Sequence, residues 1–333
     1  MDYVKPGEVL QQMIETGKNK AELTTLQLLV RGGLAGAILA CATTLAMTAS
    51  GQTGVPMAGA ILFPVGFVII VLLGLELVTG SFALIPLAVL EKKTTVRAMF
   101  KNYFWVIVGH LIGCGLYALA YVLVVTKAGS DMSNPLIASL VGTSEAKTLA
   151  YQKLGGEGWL LVFVKAILCN WMVTLGAVMA MTSKSTGGKI MAMWLPILIF
   201  FGQGFEHTVV NMFVIPAGML LGSSVSGMDW LVWSGLPVLL GNFVGGAVFT
   251  GLLLYWGQQA RRGGQGKSGE QGTLSSGIDT TVRPVSEVPY TAASLQAHTA
   301  LPSQLEAAEA IGRLPGATSI ARASTSAALE KGL

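Results

Sequence analysis

The sequence predicts an all-α membrane protein, with six transmembrane helices arranged as a 3+3 inverted repeat and the second and fifth helices broken. Three observations predict it. The chain of 333 residues is 52% hydrophobic and 11% charged, with a mean hydropathy of +0.64, whereas a soluble domain carries about 25% charged residues. Six apolar segments are long enough to cross a bilayer. One of them, G-L-E-L-V-T-G-S-F-A-L-I-P at 74–86, returns as G-F-E-H-T-V-V-N-M-F-V-I-P at 204–216.

Residues 1–26 are polar with mixed charge, unlike a cleavable signal peptide with its short apolar core. Within them Pro6–Thr16 opens P-G-E and continues V-L-Q-Q-M-I. It is expected to form a short amphipathic helix lying on the cytoplasmic surface and touching neighbouring copies of the chain. The membrane domain, 27–258, follows, with spans near Leu29–Thr48, Met57–Leu90, Tyr103–Val125, Trp159–Thr182, Ile190–Leu221 and Trp230–Trp256. The second and fifth are too long for a plain helix, and both contain proline and glycine. Cys41, Cys114 and Cys169 fall within spans without C-x-x-C spacing, as small packing residues do. From about Gly263 the chain turns to Gly, Ser, Thr, Ala and Pro. Residues 259–333 therefore read as a disordered cytoplasmic tail, with a partner-binding role left open.

Lysines and arginines orient the spans. Lys92, Lys93, Arg97 and Lys101 follow span two, Lys184 and Lys189 span four, and Arg261, Arg262 and Lys267 span six; the loops after spans one and five contain none. Both termini are thus expected in the cytoplasm, and the protein in the plasma (inner) membrane. The net charge of +4 reflects this bias and gives no support for nucleic-acid binding.

The recurring segments keep Gly, Glu, Ile and Pro at an offset of 130 (Gly74 to Gly204). G-H-L-I-G at 109–113 matches G-N-F-V-G at 241–245 at offset 132, and A-M-T at 46–48 recurs at 180–182. Each copy holds three spans, an odd number, so the second enters from the opposite face and the two G-x-E segments meet near the midplane. Proline and glycine there break the helices, Pro64 and Pro86 flanking one interruption and Pro196 and Pro216 the other. Freed backbone groups must be satisfied by protein or by a wet cavity, and Glu76 and Glu206 are expected to accept from them. A charged group at such depth costs about 2.5–3.5 kcal/mol on insertion scales, which favours a pathway for ions or protons. Glu206 and His207 diverge on any helix, so they make no joint metal site, and no metal or cofactor motif occurs elsewhere.

These residues resemble the formate–nitrite transporter family. The likeness runs from about residue 4 to 258 and includes K-P-G-E-V, G-L-E-L-V-T-G-S, K-A-I-L-C-N-W-M-V, S-K-S-T-G-G-K-I-M-A-M-W-L-P and G-F-E-H-T-V-V-N-M-F-V-I-P. It implies an aquaporin-like protomer in a homopentamer, each protomer with its own pore for small monovalent anions such as formate, nitrite or hydrosulfide. Proton coupling is implied for some members, and no cofactor. By the same resemblance His207 is the central pore histidine and Thr79 the hydroxyl facing it. Phe63, Phe67 and Phe200 are constriction residues, Asn170 and Asn242 steady the broken segments, and Lys165 is a basic residue of the outer vestibule. Two positions depart from the pattern: T-G-S stands where T-G-N is common, and His110 where asparagine is usual.

The residues alone support plainer readings of several positions. Phe63 and Phe67, at i and i+4, would pack a core in most proteins, Lys165 would snorkel, and Glu76 and Glu206 are weighted toward structure. His207, with an ordinary pKa of about 6.5, exchanges protons near neutral pH, and a neutral acid crosses an apolar constriction more cheaply than its anion. Nitrite is the first expectation and formate the second, from the resemblance of 75–86 to nitrite-handling members. A neutral-solute pore would present Asn-Pro-Ala at its breaks, a scaffold would need no histidine there, and an enzyme would need a nucleophile–base pair.

Overall fold

A computed structural model describes residues 2–258; the expected tail from residue 259 lies outside the described residues. Helix α1 (Pro6–Glu22) precedes three elements of the first repeat: α2 (Thr25–Thr53), a broken crossing and α6 (Val96–Val125). The broken crossing is made by α3 (Pro56–Leu62), α4 (Pro64–Leu72) and α5 (Val78–Leu90). The second repeat opens with α7 (Pro135–Ala146) and α8 (Leu149–Gln152), then α9 (Gly155–Ala180). Its broken crossing is α10 (Thr186–Gly202) and α11 (Thr208–Leu220), and it closes with α12 (Gly227–Gln258). The helices α2, α6, α9 and α12 are each long and apolar enough to span. At 13 residues, α5 and α11 reach about 20 Å at 1.5 Å per residue, short of the roughly 30 Å hydrocarbon layer, so each crossing needs both its arms.

Glycine, not proline, makes the breaks. Gly74 and Gly204 stand at φ 63° and 64°, the left-handed conformation that ends a helix. The bonds around them match across the repeat: Gly74 N–H to the Val71 carbonyl (3.1 Å) and Leu75 N–H to Ile70 (3.0 Å), then Gly204 N–H to Phe201 (3.0 Å) and Phe205 N–H to Phe200 (3.2 Å). Pro86, Pro196 and Pro216 sit inside continuous helices. In α12, Pro237 lacks an N–H and crowds the turn before it, and the backbone there widens to a π-helix over Leu231–Gly235.

Within each repeat the outer helices approach through glycine. A methyl group on Gly113 would run into the Gly33 backbone of α2, and one on Gly245 into the Ile167 carbonyl of α9. The two G-x-x-x-G motifs thus serve helix packing. Helix α1 runs past Thr16 and does not lie free on a membrane surface. Its apolar face (Val9, Leu10, Met13, Ile14) is buried against Leu84, Leu87 and Val178, and Val4 N–H donates to the Thr182 carbonyl (2.8 Å). That docking carries Lys20 to the first break.

Candidate functional site

The chain starts α5 and α11 inside the protein, where their first amides find no water. Neighbouring helices supply the acceptors. Val78 N–H donates to His110 Nε2 on α6 (3.1 Å) and Thr208 N–H to Asn242 Oδ1 on α12 (2.9 Å). Val210 N–H donates to His207 Nδ1 (3.3 Å), so His207 caps α11. Asn170 Nδ2 donates to the carbonyls of Thr79 (3.1 Å) and Asn242 (2.6 Å).

The two carboxylates take none of these amides, contrary to the expectation from sequence. Glu206 accepts from Lys147 Nζ, Tyr151 OH and Asn211 Nδ2, each at 2.8 Å. Glu76 accepts from Lys20 Nζ (2.9 Å) and Ser81 Oγ (3.5 Å). A buried carboxylate needs counter-charge more than it needs dipoles, and each lysine comes from outside the spans. Burial, with the Glu206 carboxylate beside it, pushes the Tyr151 phenol well above its ordinary value, so it remains a donor.

Two cavities flank the breaks. One, of about 290 Å³, is lined by α1, Arg31, Phe67, Glu76 and Leu77. The other, of about 480 Å³, is lined by Thr43–Gly51 of α2, α7, Lys147, Phe200 and His207. Arg31 of the first cavity and Met47 of the second lie 16 residues apart on α2, about 24 Å along its axis. Their walls are twins: Ile70, Val71, Gly74, Leu75, Leu77, Gly80 and Leu84 in the first correspond at offset 130 to Phe200, Phe201, Gly204, Phe205, His207, Val210 and Val214 in the second.

Thr79 and His207 meet between the cavities, His207 Nε2 lying 3.1 Å from Thr79 Oγ1. Both are buried. Because Nδ1 accepts the Val210 amide, a neutral His207 carries its proton on Nε2 and donates it to Thr79, leaving the threonine's own proton to point elsewhere. Phe200 stacks on the imidazole (centroids 5.7 Å, 28°). Phe67 lines the first cavity. Phe63 lines neither. It is stacked on Phe201 (3.9 Å) and edge-on to Phe200, two residues that line the second cavity.

Lys165 stands beside the tyrosine that holds Glu206. It lines neither cavity; its ammonium donates to Tyr151 OH (3.2 Å) and lies over that ring. The lysine in the second cavity is Lys147.

The formate/nitrite transporter family profile matches residues 7–256. The chain belongs to the formate/nitrite transporter family. Among its relatives, a probable formate transporter of Methanothermobacter thermautotrophicus is 35% identical over 72% of this chain and 90% of its own. The formate channel BtFdhC of Bacillus thuringiensis is 31% identical over 77% and 96%. Among solved structures, a pentameric formate channel with formate bound aligns at a TM-score of 0.57 and 23% identity, over 70% of this chain and 96% of its own. The family is one of channels and transporters, not enzymes, and this chain is an integral membrane protein.

Read as a family member, the chain shows what its sequence left unassigned. Lys20, Lys147, Tyr151 and His110 all hold the breaks, and none was placed there. The repeat offset carried the signal: Pro6 and Pro135 open twin helices 129 residues apart, and Lys20 and Lys147 stand 127 apart.

Proposed function

We propose that this chain is a channel for small monovalent weak-acid anions, formate before nitrite, in which His207 and Thr79 form the selective point. The observation that carries it is a single buried imidazole–hydroxyl hydrogen bond standing between two cavities with apolar walls. The names of the relatives, formate transporter and formate channel, move the preference from nitrite to formate. The pentameric neighbour supports a homopentamer with one pore per protomer. The lysine bias in the loops supports cytoplasmic termini, with the first cavity inward and the plasma membrane as the site.

The geometry suggests how the pair handles an anion. Neutral His207 polarises Thr79, whose free proton meets the incoming carboxylate. For outright proton transfer the ring first takes a proton on Nδ1 and releases the Val210 amide. The Nε2 proton then passes through Thr79 to formate, giving formic acid and a neutral Nδ1–H imidazole. The neutral acid crosses Phe67 and Phe200 at far lower cost than the anion. Lys147, paired with Glu206, keeps a positive centre at the second cavity and raises local anion concentration.

Stopped-flow uptake in proteoliposomes holding a pH dye tests this with formate, nitrite, hydrosulfide and chloride gradients. Formate flux above that of empty liposomes, with chloride slow, is expected. His207→Asn should assemble normally and alter the pH dependence of flux. A well-folded protein that passes none of these anions defeats the proposal and favours a neutral-solute pore.

A further inference from the structure

The polar anchors of the two breaks are twins, and one pair differs in kind. Asn242 receives the Thr208 amide on Oδ1 and gives Nδ2–H to the Ala166 carbonyl (2.8 Å). His110 receives the Val78 amide on Nε2 and gives Nδ1–H to the Gly32 carbonyl (2.8 Å). Amide and carbonyl partners correspond at the repeat offsets of 130 and 134, so both side chains do one job: an acceptor for the first amide of the half-helix, and a donor to the repeat's first long helix. Asparagine does it at any pH. Histidine does it only while neutral, because a second proton puts an N–H on Nε2 against the Val78 N–H, two donors with nothing between them.

We infer that His110 is the positioning residue for Thr79 and makes the channel acid-sensitive. A neutral ring pins the start of α5, one residue before the threonine. A doubly protonated ring expels the Val78 amide, loosens the first break and takes Thr79 away from His207. The ring is fully buried, so no water softens the donor–donor contact. The charged and titratable groups around it are few. Lys20 of α1 acts on it electrostatically, and it acts in turn on His207. Glu76, two residues before Val78, is already paired with Lys20, Arg31 precedes Gly32 on α2, and Cys114 stands one turn along α6. Glu76 is the one acid among them and Lys20 takes its charge, so nothing there supports an imidazolium. This inference rests on the transport reading above for its functional meaning, though not for its structural content.

The test is hydrogen–deuterium exchange of the 73–82 segment from about pH 7.5 down to about pH 4, past the ordinary imidazole range because a buried ring resists the second proton, corrected for intrinsic rates. It is run on the full chain and on His110→Asn, beside formate flux in proteoliposomes. Wild type should lose protection in this segment on acidification, about tenfold, and His110→Asn should keep it. Flux should fall in parallel in wild type and persist in His110→Asn at acid pH; His110→Leu should lose flux throughout, and asparagine should rescue what leucine removes. Superimposable pH profiles for wild type and His110→Asn overturn the inference, as does failure of His110→Asn to insert, since the asparagine fork would then not replace the ring. An exchange difference without any flux in wild type leaves the inference standing and sinks only the transport reading.

Discussion

Replacing Lys147 by methionine removes a charge and keeps the length of the stem. Glu206 is only 2% exposed and its lysine 17%, with 2.8 Å between them. Removing one partner of a buried ion pair costs roughly 3–5 kcal/mol, most of it the stranded charge. Two features set the value at the lower end. Tyr151 and Asn211 still donate to the carboxylate, and Lys147 lines the second cavity, so water can enter where its ammonium stood. We expect a loss of about 3 kcal/mol, which at about 2–4 °C per kcal/mol for a chain of this size lowers Tm by roughly 6–12 °C. Tryptophan fluorescence during thermal unfolding of the detergent-solubilised protein measures it. Lys147→Met with Glu206→Gln should recover more than half of the loss, because an amide needs no counter-charge. A single variant melting within about 1 °C of wild type, or a double variant less stable than Lys147→Met alone, refutes the account of the pair.

Thr79→Val removes the acceptor for His207 Nε2–H, and the unmatched donor, worth about 1–3 kcal/mol, should cut formate flux roughly tenfold, while Thr79→Ser keeps most of it. Gly113→Ala drives a methyl into the Gly33 backbone, which cannot move, and should cost about 1–3 kcal/mol in thermal unfolding. Gly115→Ala, in the same helix with open space around it, should be neutral or slightly stabilising. The Lys127 ammonium, with Ser133, holds Asp131 down at about 2. A depressed carboxylate stabilises the fold above its unfolded value of about 3.9 and loses that contribution as pH falls through about 2. The pair lies at the surface, with Lys127 73% exposed, so Asp131→Asn should move Tm by less than about 1 °C at neutral pH.

The architecture was legible because the bilayer imposes a length on every crossing and the duplication wrote its signal twice. Gly-x-Glu at 74–76 and 204–206 marked both breaks, although proline was given a share of the work that the left-handed Gly74 and Gly204 do unaided. Long-range pairing was harder to read. Lys147 lies in a mixed-charge connection and meets an acid 59 residues on, and only its spacing of 127 from Lys20, close to the repeat offset, hints at the pair. Phe63 and Phe67 share a helical face at their spacing, yet only Phe67 lines a cavity, Phe63 being packed against Phe200 and Phe201. His110 stands out in sequence only as a departure from asparagine, because its task is defined by Val78 and Gly32, 32 and 78 residues away.

The two ion pairs also have an order in time. Lys20 precedes Glu76 by 56 residues and Lys147 precedes Glu206 by 59, so during synthesis each lysine leaves the ribosome before the acid it neutralises. Neither glutamate has to wait in hydrocarbon for a partner not yet made. A circular permutation that reversed this order would keep every contact in the finished protein while making insertion into the membrane harder.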